Sequence, residues 1–111
     1  MKIIKKPSSS FTLDEAHNGE GTKKVLVAED EINHVQGITK SCLEPGAVFS
    51  WHQHADCTEC MYVLQGNGTI RDADGTYPFA PGDFFIFPQG VYHEPQNTGN
   101  ELVKAIFIRI K

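Results

Sequence analysis

Four residues have the types and spacing to do chemistry together: His52, His54, Glu59 and His93. On an extended strand, residues i and i+2 project to the same side. His52 and His54 therefore present two imidazoles about 7 Å apart along the strand, which suits two ligands of one ion. Glu59 stands at the head of the next apolar stretch, which can return antiparallel beside the first. His93 follows the stretch Phe84 to Phe87 and the turn Pro88-Gln89-Gly90, so folding must carry it across. Three neutral imidazoles and one carboxylate form a mixed nitrogen and oxygen set. It suits one divalent transition metal (Mn, Fe, Ni, Co, Cu or Zn) and not Ca or Mg. Four protein ligands on a six-coordinate ion leave two positions open, where substrate or dioxygen can bind.

A competing ligand set can be written from His52, His54, Cys57 and Cys60, as a closed structural zinc site. Strand alternation speaks against it, because Cys60 adjoins Glu59 and points to the opposite face. A redox pair at Cys57 and Cys60 would need a helix N-terminus to lower a thiol pKa. No helical period is visible there. The sequence also holds no Ser/His/Asp triad, no phosphate-binding loop and no paired-carboxylate site.

Short strands must position these residues. Turn signals recur at Asn18-Gly19, Pro45-Gly46, Gly66-Asn67-Gly68, Asp74-Gly75, Pro81-Gly82, Gln89-Gly90 and Thr98-Gly99-Asn100. Between them lie segments rich in β-branched and aromatic residues, the pattern of an all-β sandwich or barrel. The expected strands are Lys23 to Ala28, Val35 to Leu43, Val48 to His54, Cys60 to Leu64, Thr69 to Arg71, Thr76 to Phe79, Phe84 to Phe87 and Leu102 to Ile110. Asp14 to His17 reads as a short helical turn. If His52, His54 and Glu59 face inward, alternation sends Ser50, Val48, Met61 and Val63 inward too. Phe49, Trp51, Gln53, Cys60, Tyr62 and Leu64 then face out. Ser50 and Met61 become candidate pocket walls, and Phe84 or Phe85 can exclude water. The last strand is apolar on both faces, with Leu102, Ile106, Ile108 and Ile110 on one and Val103, Ala105 and Phe107 on the other. Such a strand is covered on both faces, and a second copy of the chain can supply the outer cover. A homodimer is therefore expected.

Composition narrows the class. The chain has 111 residues, enough for one domain with a single core. Ten Lys+Arg stand against 14 Asp+Glu, a formal charge of -4 without a basic block, which argues against a nucleic-acid surface. The apolar runs are too short to span a bilayer. Met1 to Lys6 is charged and lacks the apolar core of a signal peptide. The three cysteines, Cys42, Cys57 and Cys60, make no disulfide scaffold. A reducing cytoplasm is the expected location.

The spacing around the four residues carries a family resemblance. Gly46, His52, His54, Glu59 and Gly66 are separated by five, one, four and six residues. Gly82, Pro88, Gly90, His93 and Asn97 are separated by five, one, two and three. Ten such matches arise by chance with a probability on the order of 10⁻¹³, at about 5% usage per residue type. The two stretches, 46–66 and 82–97, resemble the two motifs of the cupin superfamily, and the whole looks like a small single-domain cupin over 1–111. The resemblance implies an antiparallel β-barrel, the double-stranded β-helix or jelly roll. It implies that His52, His54, Glu59 and His93 hold the metal, and that Glu59 can also serve as general base. His17 and His34 match no family position and read as ordinary exposed or hydrogen-bonded histidines, while Asn97 reads as a side chain that ties down backbone.

The resemblance further implies a metalloenzyme of the dioxygenase, isomerase, decarboxylase or lyase type, acting on a small oxygen-rich molecule. The alternative is a non-catalytic module that binds or senses a small ligand. A storage role fits poorly, since storage cupins are large two-domain proteins that often lose these ligands. Fold alone does not choose between them, because function sits in the site.

Overall fold

The computed structural model describes residues 1–111. Nine strands and one 3₁₀ turn (Ser8–Ser10) make up its regular structure, with no α-helix. The strands are β1 (Asp14–Ala16), β2 (Gly21–Val27), β3 (Val35–Leu43), β4 (Thr58–Gln65), β5 (Gly68–Arg71), β6 (Thr76–Phe79), β7 (Phe84–Phe87), β8 (Glu94–Asn97) and β9 (Val103–Ile110). A six-stranded sheet runs in the order β1-β2-β3-β9-β4-β7, and a three-stranded sheet in the order β6-β5-β8. Every pairing is antiparallel. The result is a jelly-roll β-barrel whose core includes Leu43, Met61, Val63, Ile70, Phe79 and Val103. No helix is long and apolar enough to cross a membrane.

The inward faces of the central strands change character along their length. Leu43, Ser41, Thr39 and Gly37 on β3 pair in register with Val103, Ala105, Phe107 and Arg109 on β9. All of these but Arg109 are buried, and Arg109 is half-buried. One end of the barrel is thus aliphatic, and the other carries hydroxyls and a guanidinium. Apolar side chains pack the first end by the hydrophobic effect. The polar end makes room for a site.

The bounds of β3, β6 and β7 agree with the sequence reading, and β2, β4, β5 and β9 differ from it by no more than two residues at either end. Three elements differ in kind. Asp14 to His17 is no helical turn: Asp14–Ala16 forms β1, paired with β2. The chain then reverses through His17, Asn18 and Gly19, all at positive φ. That is the conformation which Asn-Gly favours in a tight hairpin. β8 carries no strand signal in the sequence, because Pro95 and Asn97 are poor strand formers. Pro95 is tolerated because its carbonyl, not an N–H, is used, accepting from Phe49 N–H at 2.9 Å.

Residues 48 to 54 form no continuous strand. They touch β8 and its approach through two bridges, Val48 to Gln96 and His52 to His93. Four steps on one side oppose three on the other, so one extra residue is accommodated between the bridges. Such a bulge flips the side-chain alternation.

The four motif glycines, Gly46, Gly66, Gly82 and Gly90, all adopt positive φ, where a Cβ is strained. Asn97 is fully buried. Its Nδ2 donates to the carbonyls of Leu43 (2.9 Å) and Glu101 (2.8 Å), and its Oδ1 accepts from Gly99 N–H at 3.0 Å. Asn97→Ala removes all three partners at once. The expected loss in unfolding free energy is on the order of 3 kcal/mol, read from the urea midpoint at unchanged slope. A loss under about 0.5 kcal/mol contradicts the role given to this side chain.

Candidate metal centre

The backbone sets two of the histidines side by side. His52 and His93 exchange both main-chain hydrogen bonds, N–H to O at 3.1 and 2.8 Å. The carbonyl of His54 accepts from Gly90 N–H at 2.8 Å, which ties the His54 end of the segment to the loop before His93. Glu59 enters from β4, on the inward face shared with Met61 and Val63. One ligand atom from each of His52, His54, Glu59 and His93 lies within 4.8 Å of the other three.

Hydrogen bonds on the far ring nitrogens aim the rings. His52 Nδ1–H donates to its own segment's Ser50 carbonyl at 2.6 Å, and His93 Nδ1–H to the Val91 carbonyl at 3.0 Å. Each bond fixes its ring through Nδ1 and leaves Nε2 as the nitrogen available to an ion, the arrangement that orients metal-binding imidazoles. His93 also lies flat on Phe87, with ring centroids 4.0 Å apart and planes 2° from parallel.

The inner nitrogens meet around the carboxylate. His93 Nε2 is 3.2 Å from Glu59 Oε1, and His54 Nε2 is 3.3 Å from Glu59 Oε2. The second contact lacks hydrogen-bond geometry, so His54 Nε2 is a buried nitrogen without a partner. Burial pushes the Glu59 carboxyl up, but the contacts with His54 and His93 outweigh it and hold the pKa at about 2. Burial lowers the His52 pKa, and the neighbouring His93 and His54 rings lower it further. The site therefore presents an ionised carboxylate and an imidazole disfavoured as a cation, the protonation states a metal requires. The donor set, the aimed rings and the unpartnered His54 nitrogen fit a divalent transition metal.

The cysteines stand apart. Cys57 and Cys60 are both buried and unbonded, and burial pushes both thiols up, away from the thiolate form. Neither joins the cluster.

Beside His52 and Glu59 is a small cavity of about 50 Å³. Its wall is not the one the sequence suggested. Ser50, expected to line it, is exposed, and its backbone N–H donates to Glu20 Oε1 at 3.0 Å. The bulge turns Phe49 inward in its place, 3% exposed. Phe84 also faces solvent, 54% exposed on the outer side of β7, while Phe85 and Phe87 take the inner side. Met61 is inward as expected but belongs to the packed core. Gln36 donates to Asp56 Oδ2 at 2.9 Å and is not part of the four-residue cluster, and His34 is exposed.

The cavity wall includes His17, Lys23, Thr39, Ser41 and Arg109. Thr39, Ser41 and Arg109 could have been found by carrying strand alternation back from Leu43 and Val103. His17 carried no such signal, because only the β1–β2 turn brings it there. It stacks on Phe49 at 4.3 Å and meets His52 edge-on at 4.4 Å. Burial, with the nearby His52, lowers its pKa to about 4.

Comparison with known proteins agrees with this architecture. The model of the family described as "Cupin domain" matches residues 39–109. Germin-like protein 5-1 of Oryza sativa subsp. japonica is 35% identical over 71 residues, covering 58% of this chain and 32% of that protein. Auxin-binding protein 1 of Arabidopsis thaliana is 34% identical over 73 residues, covering 58% and 36%. These alignments span about a third of the curated relatives' length. Among solved structures, a predicted oxalate decarboxylase from Thermotoga maritima superposes with a TM-score of 0.85 at 25% identity, covering 96% of this chain and 98% of that one. A cupin 2 conserved barrel domain protein from Salinispora arenicola shares the fold at a TM-score of 0.80 and 18% identity, covering 100% and 90%. With its jelly-roll barrel and a family match over most of its length, this chain belongs to the cupin domain family.

Proposed function

We propose that this protein binds one divalent transition metal through His52, His54, Glu59 and His93 and uses it to transform a small oxygen-rich organic molecule. The observation that carries this reading is the convergence of four ligand atoms within 4.8 Å beside a cavity. A structural zinc site is usually closed and cysteine-rich. This set is histidine-rich and borders open space. A bound metal would supply a Lewis acid for a substrate oxygen, or a meeting point for substrate and dioxygen. The chain's own residues supply the rest. Ser50 and Val91 carbonyls fix the ring tautomers, Phe49 and Phe107 keep the cavity partly dry, and Glu59, when released by a ligand, accepts a proton at a carboxylate oxygen.

The name of one similar structure, a predicted oxalate decarboxylase, supports chemistry on a small acid. The test is turnover. Protein reconstituted separately with Fe, Mn, Ni and Zn is assayed against small enols, uronates and short-chain acids, beside Glu59→Gln. Turnover by at least one metal form, lost in Glu59→Gln, is expected. Tight binding of a metabolite that no form turns over would transfer the reading to a ligand-binding module.

The reading includes a homodimer. Two apolar rows cross the outer face of the large sheet: Phe84, Tyr62 and Ile106, then Ile86, Cys60, Ile108 and Ile38. Phe84, Tyr62 and Ile86 are exposed. On β3 the first row ends at Lys40 while the second stays apolar through Ile38, and a second copy offers a matching surface by two-fold symmetry. Covering about 800 Å² per partner is typical of a stable pair. Light scattering at micromolar concentration should give twice the chain mass, and Ile86→Lys should halve it. A monomer in the unaltered protein contradicts the dimer.

A further inference from the structure

Two cations line the cavity, and neither is ion-paired to the carboxylate that lines it with them, Glu59. Lys23 comes from β2 and Arg109 from β9. Neither takes part in an ion pair; the protein's pairs use Lys6, His17, His54, Arg71, His93 and Lys111. Arg109 stands directly opposite Glu59 in the sheet register, yet forms no salt bridge with it. Its Nε is buried and has no hydrogen-bond partner. An unpartnered buried donor on a charged group is costly, so something absent from the chain itself should meet it.

The surroundings are shaped for that guanidinium. Gly37 sits opposite Arg109 on β3, and a Cβ there would fall 2.9 Å from Arg109 Nη2. The lack of a side chain at residue 37 leaves the guanidinium its place. Beside it, Thr39 and Ser41 are buried and joined hydroxyl to hydroxyl at 3.2 Å. One of those hydroxyls can turn a hydrogen toward a ligand oxygen. A guanidinium fork, an ammonium and two hydroxyls form a donor-rich wall for oxygen acceptors. With a divalent metal in place, the positive charge of metal, Lys23 and Arg109 exceeds what Glu59 alone balances. The cavity, about 50 Å³, is small and suits a small polar group.

We infer that Lys23 and Arg109, assisted by Thr39 and Ser41, form an oxyanion subsite that holds the carboxylate of a small organic acid beside the metal cluster. This rests on the metal-dependent reading above and names its substrate class. Lys23 and Arg109 are specificity-determining residues, and the bond-making atoms remain with the metal side of the cavity.

Glycolate is the probe, with glycolamide as its neutral counterpart. The chain has two arginines, Arg71 and Arg109, so their side-chain Nε–H signals are few and assignable by NMR. Arg71 is already paired with Glu94 and serves as internal control. In zinc-loaded protein, glycolate should shift the Arg109 Nε–H signal saturably and leave Arg71 in place. Glycolamide should shift neither. Arg109→Gln and Lys23→Gln should each weaken glycolate binding at least tenfold by calorimetry, with zinc content unchanged. A still Arg109 signal in zinc-loaded protein, or equal movement of both arginines, overturns the subsite. The same titration on chelator-treated protein separates the two readings. If the protein takes up no zinc yet glycolate moves Arg109 alone, the metal reading fails and the oxyanion subsite stands. The wild-type titration decides the matter even where a variant fails to fold.

Discussion

His93→Ala is expected to abolish metal retention and to weaken the fold at the same time. His93 is 1% exposed, stacked on Phe87, and bonded through Nδ1 to the Val91 carbonyl. Its removal deletes one of four ligands, leaves a hole against Phe87 and orphans a carbonyl. Losing even an outer partner of a ligand lowers metal affinity by about 10- to 100-fold. Losing the ligand itself should exceed that range. The cavity and the lost hydrogen bond should lower stability by about 2–4 kcal/mol in metal-free protein.

His52→Ala separates the two effects, because His52 is only half-buried. It should lose metal to the same extent and stability by about 1 kcal/mol. Cys57→Ser/Cys60→Ser should keep the metal. Competition against a chromophoric chelator gives the affinities, and urea unfolding gives the stabilities. A cysteine pair that controls the metal while His93→Ala retains it would reverse the assignment.

Acidification of the metal-free protein is expected to lower its melting temperature in two stages. His17 is held near a pKa of about 4, first by burial and then by His52, and burial also lowers His52. In the unfolded chain both take protons near 6.5. Between about pH 6.5 and 4 the unfolded state therefore binds more protons, and stability falls as pH falls. Discounted for its partial solvent contact, the His17 share is on the order of 1 kcal/mol, or roughly 5 °C. Glu59 acts lower. Its folded pKa of about 2 lies below the unfolded carboxyl value, so the stability it gives is lost between about pH 4.5 and 2.

His17→Gln should flatten the upper stage and leave the lower one. Calorimetric scans from about pH 7.5 to about 2 read both. A melting temperature that rises on going from pH 6.5 to 4 contradicts the buried, neutral imidazoles. In metal-loaded protein the upper stage should steepen, since protons then compete with the ion for the ligands.

Three of the four clustered residues were legible in the sequence from local geometry, and His93 from the spacing Gly82, Pro88, Gly90, His93 and Asn97, which resembles the second cupin motif. His52 and His54 share a side of an extended segment, and Glu59 heads the returning strand. The cavity wall was less legible, for three physical reasons. One extra residue between the Val48 and His52 bridges inverts the alternation, which puts Phe49 where Ser50 was expected. A bulge leaves no mark in composition. Phe84 and Phe85 are chemically identical, and only the pairing of β7 with β4 decides which faces in. His17 arrives through a hairpin whose positive-φ turn was read only in its Asn18-Gly19 half. Arg109, Thr39 and Ser41 follow from strand alternation, but a last strand with apolar residues on both faces leaves its inward face unmarked by composition.

The central claim is that His52, His54, Glu59 and His93 together hold a metal. Metal content per chain, measured by mass spectrometry after loading and exhaustive dialysis, tests it most directly. One ion per chain in the unaltered protein, and fewer than about 0.1 in a His52→Ala/His93→Ala double variant that still folds, is the predicted result. No retained ion in the unaltered protein, or equal content in both, contradicts it.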